Sequence, residues 1–123
     1  MLHAHLVFVT KYRRGVFSKA MLKRCEDAMR DICADFGAEL VEFNGEKDHV
    51  HLLVTYPPTV QLSRLVNSLK GVSSRILRKE FGQQLRPYRW GDHLWSPSYF
   101  AGSVGGAPLS VLREYVQSQQ APE

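Results

Sequence analysis

The order of strand-like and helix-like segments restricts the fold of this sequence more than any other feature. Residues 5–12, HLVFVTKY, are mostly apolar and rich in β-branched and aromatic side chains, which is typical of a strand covered on both faces. Residues 18–36 carry apolar side chains at helical spacing, with Ser18 placed as an N-cap and Gly37 as a stop. The sequence therefore opens with a strand followed by a helix.

The later segments extend this pattern. Residues 38–44 and 48–56 are two strand candidates joined by a short turn, and residues 60–81 have the apolar stripe of a second helix. A fourth strand is expected at 94–103 and a short last helix at 108–120. This order predicts an α+β fold of the ferredoxin-like βαββαβ type, an antiparallel sheet with helices on one face and an extra C-terminal helix. The first and third strands would lie at its centre.

Length and composition favour a single domain over residues 1–123, because 44% of the residues are hydrophobic and can form a substantial core. The sequence has no apolar run of about 18 residues, so no membrane span is expected, and its first residues lack the order of a secretory signal. Cys25 and Cys33 fall within the first predicted helix and are expected to be reduced core residues. We therefore expect a cytoplasmic protein.

Charge is distributed unevenly along the chain. Residues 31–60 hold six acidic residues and one lysine, whereas residues 61–90 hold seven basic residues and one acidic residue. A basic block of this kind indicates a polyanionic partner, with nucleic acid the first choice, but it also fits a solvated surface. Charge alone leaves both interpretations open.

Residues 48–56 carry two histidines on a strand whose other residues are mostly apolar and typical of a buried core. Side chains alternate along a strand, so Val50, Leu52 and Val54 share one face while His49 and His51 share the other. The two imidazoles would lie roughly 7 Å apart along the strand, close enough to reach one metal ion or one phosphate. A His-x-His pair by itself is more often a surface or packing feature. A polar pair on a central strand must be covered or used, so the position of this pair favours a functional role.

The last predicted helix, PLSVLREYVQSQQ, is the element available to cover the histidine face. Leu109, Leu112 and Val116 form a narrow apolar stripe, and Tyr115 and Gln119 are four residues apart at its edge. If the stripe packs on the sheet, Tyr115 and Gln119 would face the histidines. Without the histidines, simple packing for Tyr115 and solvation for Gln119 are the better interpretation.

Three further motifs give the sequence a family resemblance. The His-hydrophobe-His strand is followed by SRLVNSLKGVSSRILRKEF, by LWSPSYFAGSVGG and by a helix containing YVQSQ. Together they resemble the single-tyrosine transposases of the HUH nuclease superfamily, the IS-two-hundred type found in the smallest bacterial and archaeal insertion sequences. The resemblance spans essentially the whole chain, with all motifs in the same order.

The resemblance implies a role for four residues. His49 and His51 match the metal ligands of the family, Gln119 matches its third ligand, and Tyr115 matches the nucleophile on the C-terminal helix. The family cuts and rejoins single-stranded DNA at hairpin-bearing element ends through a 5′-phosphotyrosine link, without a nucleotide energy source. It acts as a homodimer in which the tyrosine helix of one subunit can complete the site of the other.

The cofactor expected from this donor set is Mg²⁺ or Mn²⁺, because the site must stay open to phosphate oxygens and water, and the imidazoles favour Mn²⁺. The base that deprotonates the tyrosine is not fixed by the sequence, and Asp48 is one candidate. Candidate phosphate-binding side chains are Lys11, Arg13, Arg14, Arg64, Lys70, Arg75 and Arg78. Candidates for base stacking are Tyr12, Trp90, Trp95, Tyr99 and Phe100, although core packing is the commoner role for each.

Two other classes of function stay open. One is a non-catalytic nucleic-acid-binding module of the same fold, in which the histidines only bind or pack. The other is a metal-dependent phosphodiesterase that uses water as its nucleophile. The two-histidine-motif phosphoesterases need a second His-x-Ser/Thr motif, which this sequence lacks. The spacing of Tyr115 and Gln119 near the chain end argues against both, because neither class needs that pair.

Overall fold

Four strands and four helices form the described part of the chain. The computed structural model describes residues 1–88, 93–102 and 109–119. In chain order the elements are β1 (Leu2–Val9), α1 (Lys19–Asp35), β2 (Glu39–Gly45), β3 (His49–Tyr56), α2 (Leu62–Glu80), α3 (Gly82–Leu85), β4 (Phe100–Gly102) and α4 (Leu109–Ser118). Short 3-10 turns follow β1 and α3, at Lys11–Arg13 and Arg86–Tyr88.

The strands form one antiparallel sheet in the order β2-β3-β1-β4. This order places β1 and β3 at the centre, as the sequence predicts for a ferredoxin-like fold. The two central strands pair along their whole length, from Leu2 opposite Tyr56 to Val9 opposite His49. The predicted α+β architecture is confirmed, with a last helix, α4, following the sheet.

The two long helices and one face of the sheet form the main core. Phe8 of β1 and Leu52 of β3 are fully buried on this face. They belong to one cluster with buried residues of both helices, among them Met21 and Met29 of α1 and Leu69 of α2. Each such side chain contributes roughly 1.5–3 kcal/mol when it is removed from water. The opposite face of the sheet lies outside this cluster.

Helix α1 begins and ends where the sequence places it. The side chain of Ser18 accepts a hydrogen bond from the Met21 backbone N–H at 3.2 Å, and Gly37 has a φ of 70°. Only glycine adopts that left-handed conformation without a steric cost, so it ends the helix readily. Cys25 and Cys33 are buried free thiols, and burial raises their pKa values to about 12 and about 11.

Strand β1 ends three residues earlier than the sequence predicts. Its last residue is Val9, and the chain turns at Lys11–Arg13, where Tyr12 and Arg13 have φ values of 60° and 54°. The hydroxyl of Thr10 donates to the Arg14 carbonyl at 2.7 Å, which holds this turn closed. The polar side chains of residues 11–13 therefore project from a turn and not from a central strand.

The strand predicted at 94–103 is also much shorter than expected. Only Phe100–Gly102 forms β4, while Trp95 makes an isolated bridge to Thr10, and residue 103 lies outside the described residues. Between them, residues 96–98 form a segment whose three carbonyls all accept hydrogen bonds from the side chain of Lys70. Because these carbonyls are turned towards α2, they are not available to pair with a neighbouring strand, and β4 does not extend back to residue 94.

Helix α2 lies within two residues of its predicted bounds, and α4 matches its prediction equally well. The sequence did not predict the short helix α3 or the turn that follows it. Within residues 1–88, 93–102 and 109–119, the structure has no helix that is both long enough and apolar enough to cross a membrane.

Candidate active site

The two histidines of β3 lie where the alternation of the strand predicts. Burial alternates along β3, with Val50, Leu52 and Val54 fully buried and His49 and His51 half-buried on the other face. Burial lowers the pKa of His51, and the neighbouring His5 and His49 lower that pKa further, while Glu42 opposes them. His51 is therefore held as a neutral imidazole near neutral pH, the form that binds a metal ion.

Asp48 fixes the ring of His49. The Nδ1 atom of His49 lies 2.8 Å from Asp48 Oδ1, and the second carboxylate oxygen lies 3.6 Å from Arg13 Nε. Since a carboxylate only accepts hydrogen bonds, Nδ1 of His49 is the donor and its Nε2 carries the free lone pair. A carboxylate that holds a ligand imidazole in this way is a common partner in metal sites. This contact favours an orienting role for Asp48 over the role of base considered from the sequence.

A third histidine, His5 of β1, lies against His51. His5 Nδ1 is 3.0 Å from His51 Nε2, and the two rings are stacked with centroids 5.1 Å apart. The register explains this contact, since His5 pairs with Leu53 and Val7 pairs with His51, which makes the two histidines diagonal neighbours on one face. His5 was not predicted as a site residue from the sequence. The signal was present in His3-Ala4-His5, a second His-x-His pattern on a strand that pairs with the first.

The predicted pair on α4 is held by residues 96–98. Ser98 Oγ lies 3.0 Å from the Tyr115 hydroxyl and donates to Gln119 Oε1 at 3.2 Å, and Ser96 Oγ donates to the same oxygen at 3.1 Å. Partial burial raises the pKa of Tyr115, while its hydrogen bond with Ser98 lowers that pKa. The two serines thus connect the candidate nucleophile with the candidate third metal ligand.

The ring of Tyr115 contacts the sheet face that carries the histidines. Its centroid is 5.7 Å from that of Phe100 in β4. Phe100 pairs with Val7, and Val7 pairs with His51, so all three side chains project from the same face. Since neighbouring strands are about 4.8 Å apart, Phe100 and His51 are separated by roughly 10 Å across the sheet. The structure therefore places both predicted pairs on one side of the sheet.

The histidine pair on β3 and the Tyr115–Gln119 pair on α4 are not in contact with each other. Among the residues that the structure describes, the side-chain hydrogen bonds of Tyr115 and Gln119 run to Ser96, Ser98 and their own helix. Nor do three His, Cys, Asp or Glu side chains of the described residues converge on one point. The donor types still fit a divalent cation, because His49 has a free Nε2, His51 is neutral and Gln119 supplies an amide oxygen.

Lys70 and two serines of α2 fix the position of residues 96–98. Lys70 Nζ donates to the carbonyls of Ser96, Pro97 and Ser98 at 2.7, 3.2 and 3.3 Å, which occupies all three donors of the ammonium group. Just before this segment, Trp95 Nε1 donates to Ser73 Oγ and the Leu94 N–H donates to Ser74 Oγ. Helix α2 therefore supports, through one segment, the side chains that contact α4.

A basic cleft of about 540 Å³ lies along α2. Gly71 and residues 93–97 line part of it. The rest of the lining includes four of the seven predicted phosphate-binding residues, namely Lys11, Lys70, Arg75 and Arg78. A cleft lined with one sign of charge concentrates an electric field that attracts polyanions. Of the other three, Arg64 is exposed on α2, Arg13 contacts Asp48, and the Arg14 guanidinium lies over the ring of Tyr12.

The aromatic residues considered for base stacking have different surroundings. Trp95 is 3% exposed and packs against Phe17, and Tyr99 packs against Phe8, so both serve the core. Tyr12 is 43% exposed, with Lys11 and Arg14 beside its ring, and it is the better placed for an unpaired base. Phe100 contacts Tyr115, as described above, and Trp90 lies outside the described residues.

Comparison with known proteins identifies the family of the chain. The family model described as "Transposase IS200 like" matches residues 1–119. The chain is 34% identical over 122 residues to the ISDra2 transposase TnpA of Deinococcus radiodurans, a match that covers 99% of this chain and 86% of the relative. It is 30% identical over 115 residues to the transposase for insertion sequence element IS200 of Salmonella typhimurium, covering 94% of this chain and 74% of the relative.

Solved structures show the same likeness. A crystal structure of a candidate transposase from Deinococcus radiodurans R1 superposes with a TM-score of 0.90 at 34% identity, over 98% of this chain and 92% of that one. The REP-associated tyrosine transposase, solved with a REP hairpin, superposes with a TM-score of 0.57 at 14% identity, over 94% of this chain and 62% of that one, and shares the fold. From its sequence and its structure alike, the chain belongs to the family of IS200-like transposases.

Proposed function

We propose that the chain is a metal-dependent single-strand DNA transposase in which Tyr115 is the nucleophile. The observation that carries this proposal is the common sheet face that joins His51, through Val7 and Phe100, to the ring of Tyr115. A nucleic-acid-binding module would not need a tyrosine and a glutamine bridged by serines beside a histidine pair. Membership of the IS200-like family supports the same assignment.

The chemistry of a tyrosine nucleophile suits a reaction that must be reversed. The phenol oxygen attacks the phosphorus of a DNA phosphodiester, a bond from phosphorus to the tyrosine oxygen forms, and the bond to the 3′-oxygen breaks. The phenol proton leaves to a base and the 3′-oxygen leaves as a hydroxyl, so the products are a 5′-phosphotyrosine and a free 3′ end. Because the link stays covalent, a 3′-hydroxyl can later attack it and rejoin DNA without a nucleotide energy source.

Ser98 favours the reactive form of the nucleophile. Burial raises the pKa of Tyr115, which disfavours the phenolate, and the hydrogen bond from Ser98 acts in the opposite direction. A hydrogen bond to an ionised oxygen is roughly twice as strong as one between neutral groups. Ser98 is therefore a positioning residue that stabilises the charge on Tyr115 as its proton leaves.

His49, His51 and Gln119 would hold the divalent metal in this proposal. When bound, Mg²⁺ or Mn²⁺ withdraws charge from a nonbridging phosphate oxygen and lowers the barrier to attack. Two neutral imidazoles and a neutral amide leave most of the positive charge of the ion available for that task. Asp48 contributes by holding the Nε2 atom of His49 outward.

The basic cleft along α2 is the proposed site for the DNA backbone. Arg75, on the exposed side of α2, and Lys11, after β1, both line it. Contacts of this kind give affinity that falls as salt rises. A protein of the same fold was solved with a REP hairpin. Together with the family resemblance, this makes hairpin-bearing single strands the substrate to test.

We further propose that the active protein is a homodimer with shared sites. Tyr115 and Gln119 contact residues 96–98 of their own chain and do not contact His49 or His51 within the described residues. An α4 helix from a second copy would supply the missing partner groups. Mixing inactive Tyr115→Phe with inactive His51→Ala then restores activity, whereas sites within one chain give no activity after subunit exchange.

Labelled single-stranded hairpin DNA from the flanks of the native gene, incubated with Mn²⁺ or Mg²⁺, tests the function. We expect a protein–DNA adduct that survives denaturant and that disappears in Tyr115→Phe and in His49→Ala. Tyr99→Phe is the matched control, because Tyr99 lies nearby but packs against Phe8. Cleaved ends without an adduct would identify a hydrolase, and tight binding without cleavage would identify a binding module.

A further inference from the structure

The turn that follows β1 is strained and exposes an aromatic ring. Tyr12 and Arg13 have φ values of 60° and 54°, a left-handed conformation that residues other than glycine seldom adopt. Strain of this kind persists where the surrounding structure holds it, and it is frequent at binding and active sites. Because Tyr12 is 43% exposed, packing of its ring into the core does not account for the conformation.

The turn is fixed to the segment that carries His49. The Thr10 N–H donates to the Asp48 carbonyl at 2.9 Å, and the Thr10 hydroxyl lies 3.2 Å from the same oxygen. The Arg13 Nε atom lies 3.6 Å from one oxygen of the Asp48 carboxylate, and the other oxygen contacts His49. Asp48 thus joins the turn to a proposed metal ligand, so the turn lies beside the proposed reaction site.

The other side of the turn meets the basic cleft. The Lys11 N–H donates to the Leu94 carbonyl at 2.9 Å, and both residues line the cleft. Lys11 Nζ also lies 5.6 Å from the centroid of the Tyr12 ring. Lys11 is therefore placed between the cleft and this ring, and a DNA backbone that leaves the cleft past Lys11 meets Tyr12 next.

The ring of Tyr12 has the surroundings of a base-stacking site. The guanidinium carbon of Arg14 also lies 5.6 Å from its centroid, so two cations flank one exposed aromatic ring. Aromatic rings stack on unpaired bases of any sequence, and neighbouring cations attract the phosphates. The Lys11 ammonium is attracted to the ring face, and a base that displaces it leaves Lys11 to contact the phosphate of the same nucleotide.

Resting on the proposed function, we propose that the turn of residues 11–14 binds an unpaired nucleotide next to the phosphodiester that reacts. Its base stacks on Tyr12 and its phosphate contacts Lys11. This nucleotide lies between the DNA held in the basic cleft and the bond beside His49. Paired bases are already stacked within a duplex and cannot take this place, so the turn selects single-stranded DNA at the reaction site.

Binding of a labelled oligothymidylate of about ten nucleotides, measured by fluorescence anisotropy, tests the stacking without a hairpin or a reaction. Chelator is present, and every variant is built on a Tyr115→Phe parent. We expect Tyr12→Gly and Tyr12→Ala to bind about 10-fold more weakly than the parent, and Tyr12→Phe to bind equally well, because its ring still stacks. Glycine adopts a φ of 60° without strain, so Tyr12→Gly removes the ring and keeps the turn.

Salt dependence separates stacking from charge. Tyr12→Gly should leave the slope of log affinity against log salt unchanged, since stacking releases no counterions. Lys11→Met should make that slope shallower by about 0.7, the value for one phosphate contact on a single strand. A shallower slope in Tyr12→Gly, or an unchanged slope in Lys11→Met, would contradict the roles assigned to these two residues.

The position of the nucleotide is tested with hairpin DNA from the flanks of the native gene. A single abasic nucleotide is moved along the strand, and binding to the parent and to Tyr12→Gly is compared. We expect one abasic position, flanking the cleaved bond, to weaken binding by the parent and to have no further effect in Tyr12→Gly. A sensitive position away from that bond would overturn the placement beside His49.

Equal affinity of the parent, Tyr12→Gly and Tyr12→Ala for the oligothymidylate would overturn the proposal. A loss in Tyr12→Phe as large as that in Tyr12→Gly would also overturn it, because the ring would then not be the cause. The proposed function fails separately, if the wild type forms no adduct with hairpin DNA while binding of the oligothymidylate still depends on Tyr12.

Discussion

The hydroxyl groups of Ser98 and Tyr115 lie 3.0 Å apart, and Ser98 also donates to Gln119 Oε1. A serine hydroxyl has one proton, so it can donate to only one of these partners at a time. While Tyr115 is protonated, it donates to Ser98, and Ser98 donates to Gln119. If Tyr115 ionises, we expect Ser98 to turn its proton towards the phenolate and to release one of the two hydrogen bonds that hold Gln119. Ionisation of Tyr115, the proposed nucleophile, would then be linked to release of the amide oxygen.

Ser98→Ala should raise the pKa of Tyr115 further, because the hydrogen bond that lowers this pKa is removed. Tyrosinate absorbance, titrated in the variant and corrected with Tyr115→Phe, measures the change. Adduct formation should slow at neutral pH and recover in part as pH rises. Ser96→Ala is the control, since Ser96 contacts Gln119 but not Tyr115. An unchanged Tyr115 titration in Ser98→Ala would contradict the role assigned to Ser98.

Gly71→Ala tests whether the glycine inside α2 serves the close approach of a DNA backbone or is merely tolerated there. A Cβ atom at this position meets nothing within 4 Å, so the substitution should stabilise the helix by about 1 kcal/mol, measured by denaturant unfolding. The added methyl group projects into the basic cleft, and we expect it to weaken single-stranded DNA binding by hindering the approach of the backbone. Greater stability with unchanged DNA affinity would show that the DNA backbone does not bind in the basic cleft beside Gly71.

Lys70 and Arg75 both line the basic cleft, but their variants should behave differently. Lys70→Met removes three hydrogen bonds to the 96–98 segment and should cost roughly 1–3 kcal/mol of unfolding free energy. Arg75→Ala, at an exposed position, should leave stability unchanged and make the salt dependence of DNA binding shallower by about one unit of slope. The reverse pattern would show that Lys70 binds phosphate and Arg75 supports the fold.

The sequence predicts most accurately those features that depend on local periodicity. The alternation of Val50 and His51 determines which face each occupies, and capping by Ser18 determines where α1 begins. Residues 96–98 could not be predicted as a bend, because their carbonyls are held by Lys70, 26 residues away. His5 was missed for a similar reason, since its contact with His51 follows from strand register.

The candidate site shows the same difference between local and long-range features. His49, His51, Tyr115 and Gln119 were assigned from motifs, and the structure places both pairs on one side of the sheet. Their orienting partners, Asp48, Ser96 and Ser98, are visible only in three dimensions. Spacing along the chain indicates the candidate residues, whereas hydrogen bonds between distant segments determine how those residues are held.

Stability of the metal-free protein should fall as pH decreases below about 6.5, partly through His51. Burial and the neighbouring His5 and His49 lower its pKa below the ordinary value of 6.5, against the effect of Glu42. Between 6.5 and the lower folded pKa, the unfolded chain binds a proton that the folded chain does not, so stability is lost in that interval. His51→Asn should flatten the dependence, measured by denaturant unfolding with chelator present. If the stability of His51→Asn falls as steeply with decreasing pH, the result would contradict the lowered pKa of His51.

The most direct test of the account locates the covalent bond. After incubation with cognate hairpin DNA and Mn²⁺, the adduct is digested with nuclease and trypsin, and peptides are sequenced by mass spectrometry. Trypsin cleaves after Arg113, and within this sequence the peptide that begins at Glu114 contains Tyr115 as its one tyrosine. We predict a nucleotide on Tyr115. A nucleotide on another residue, or cleaved DNA with no modified peptide, would contradict the account.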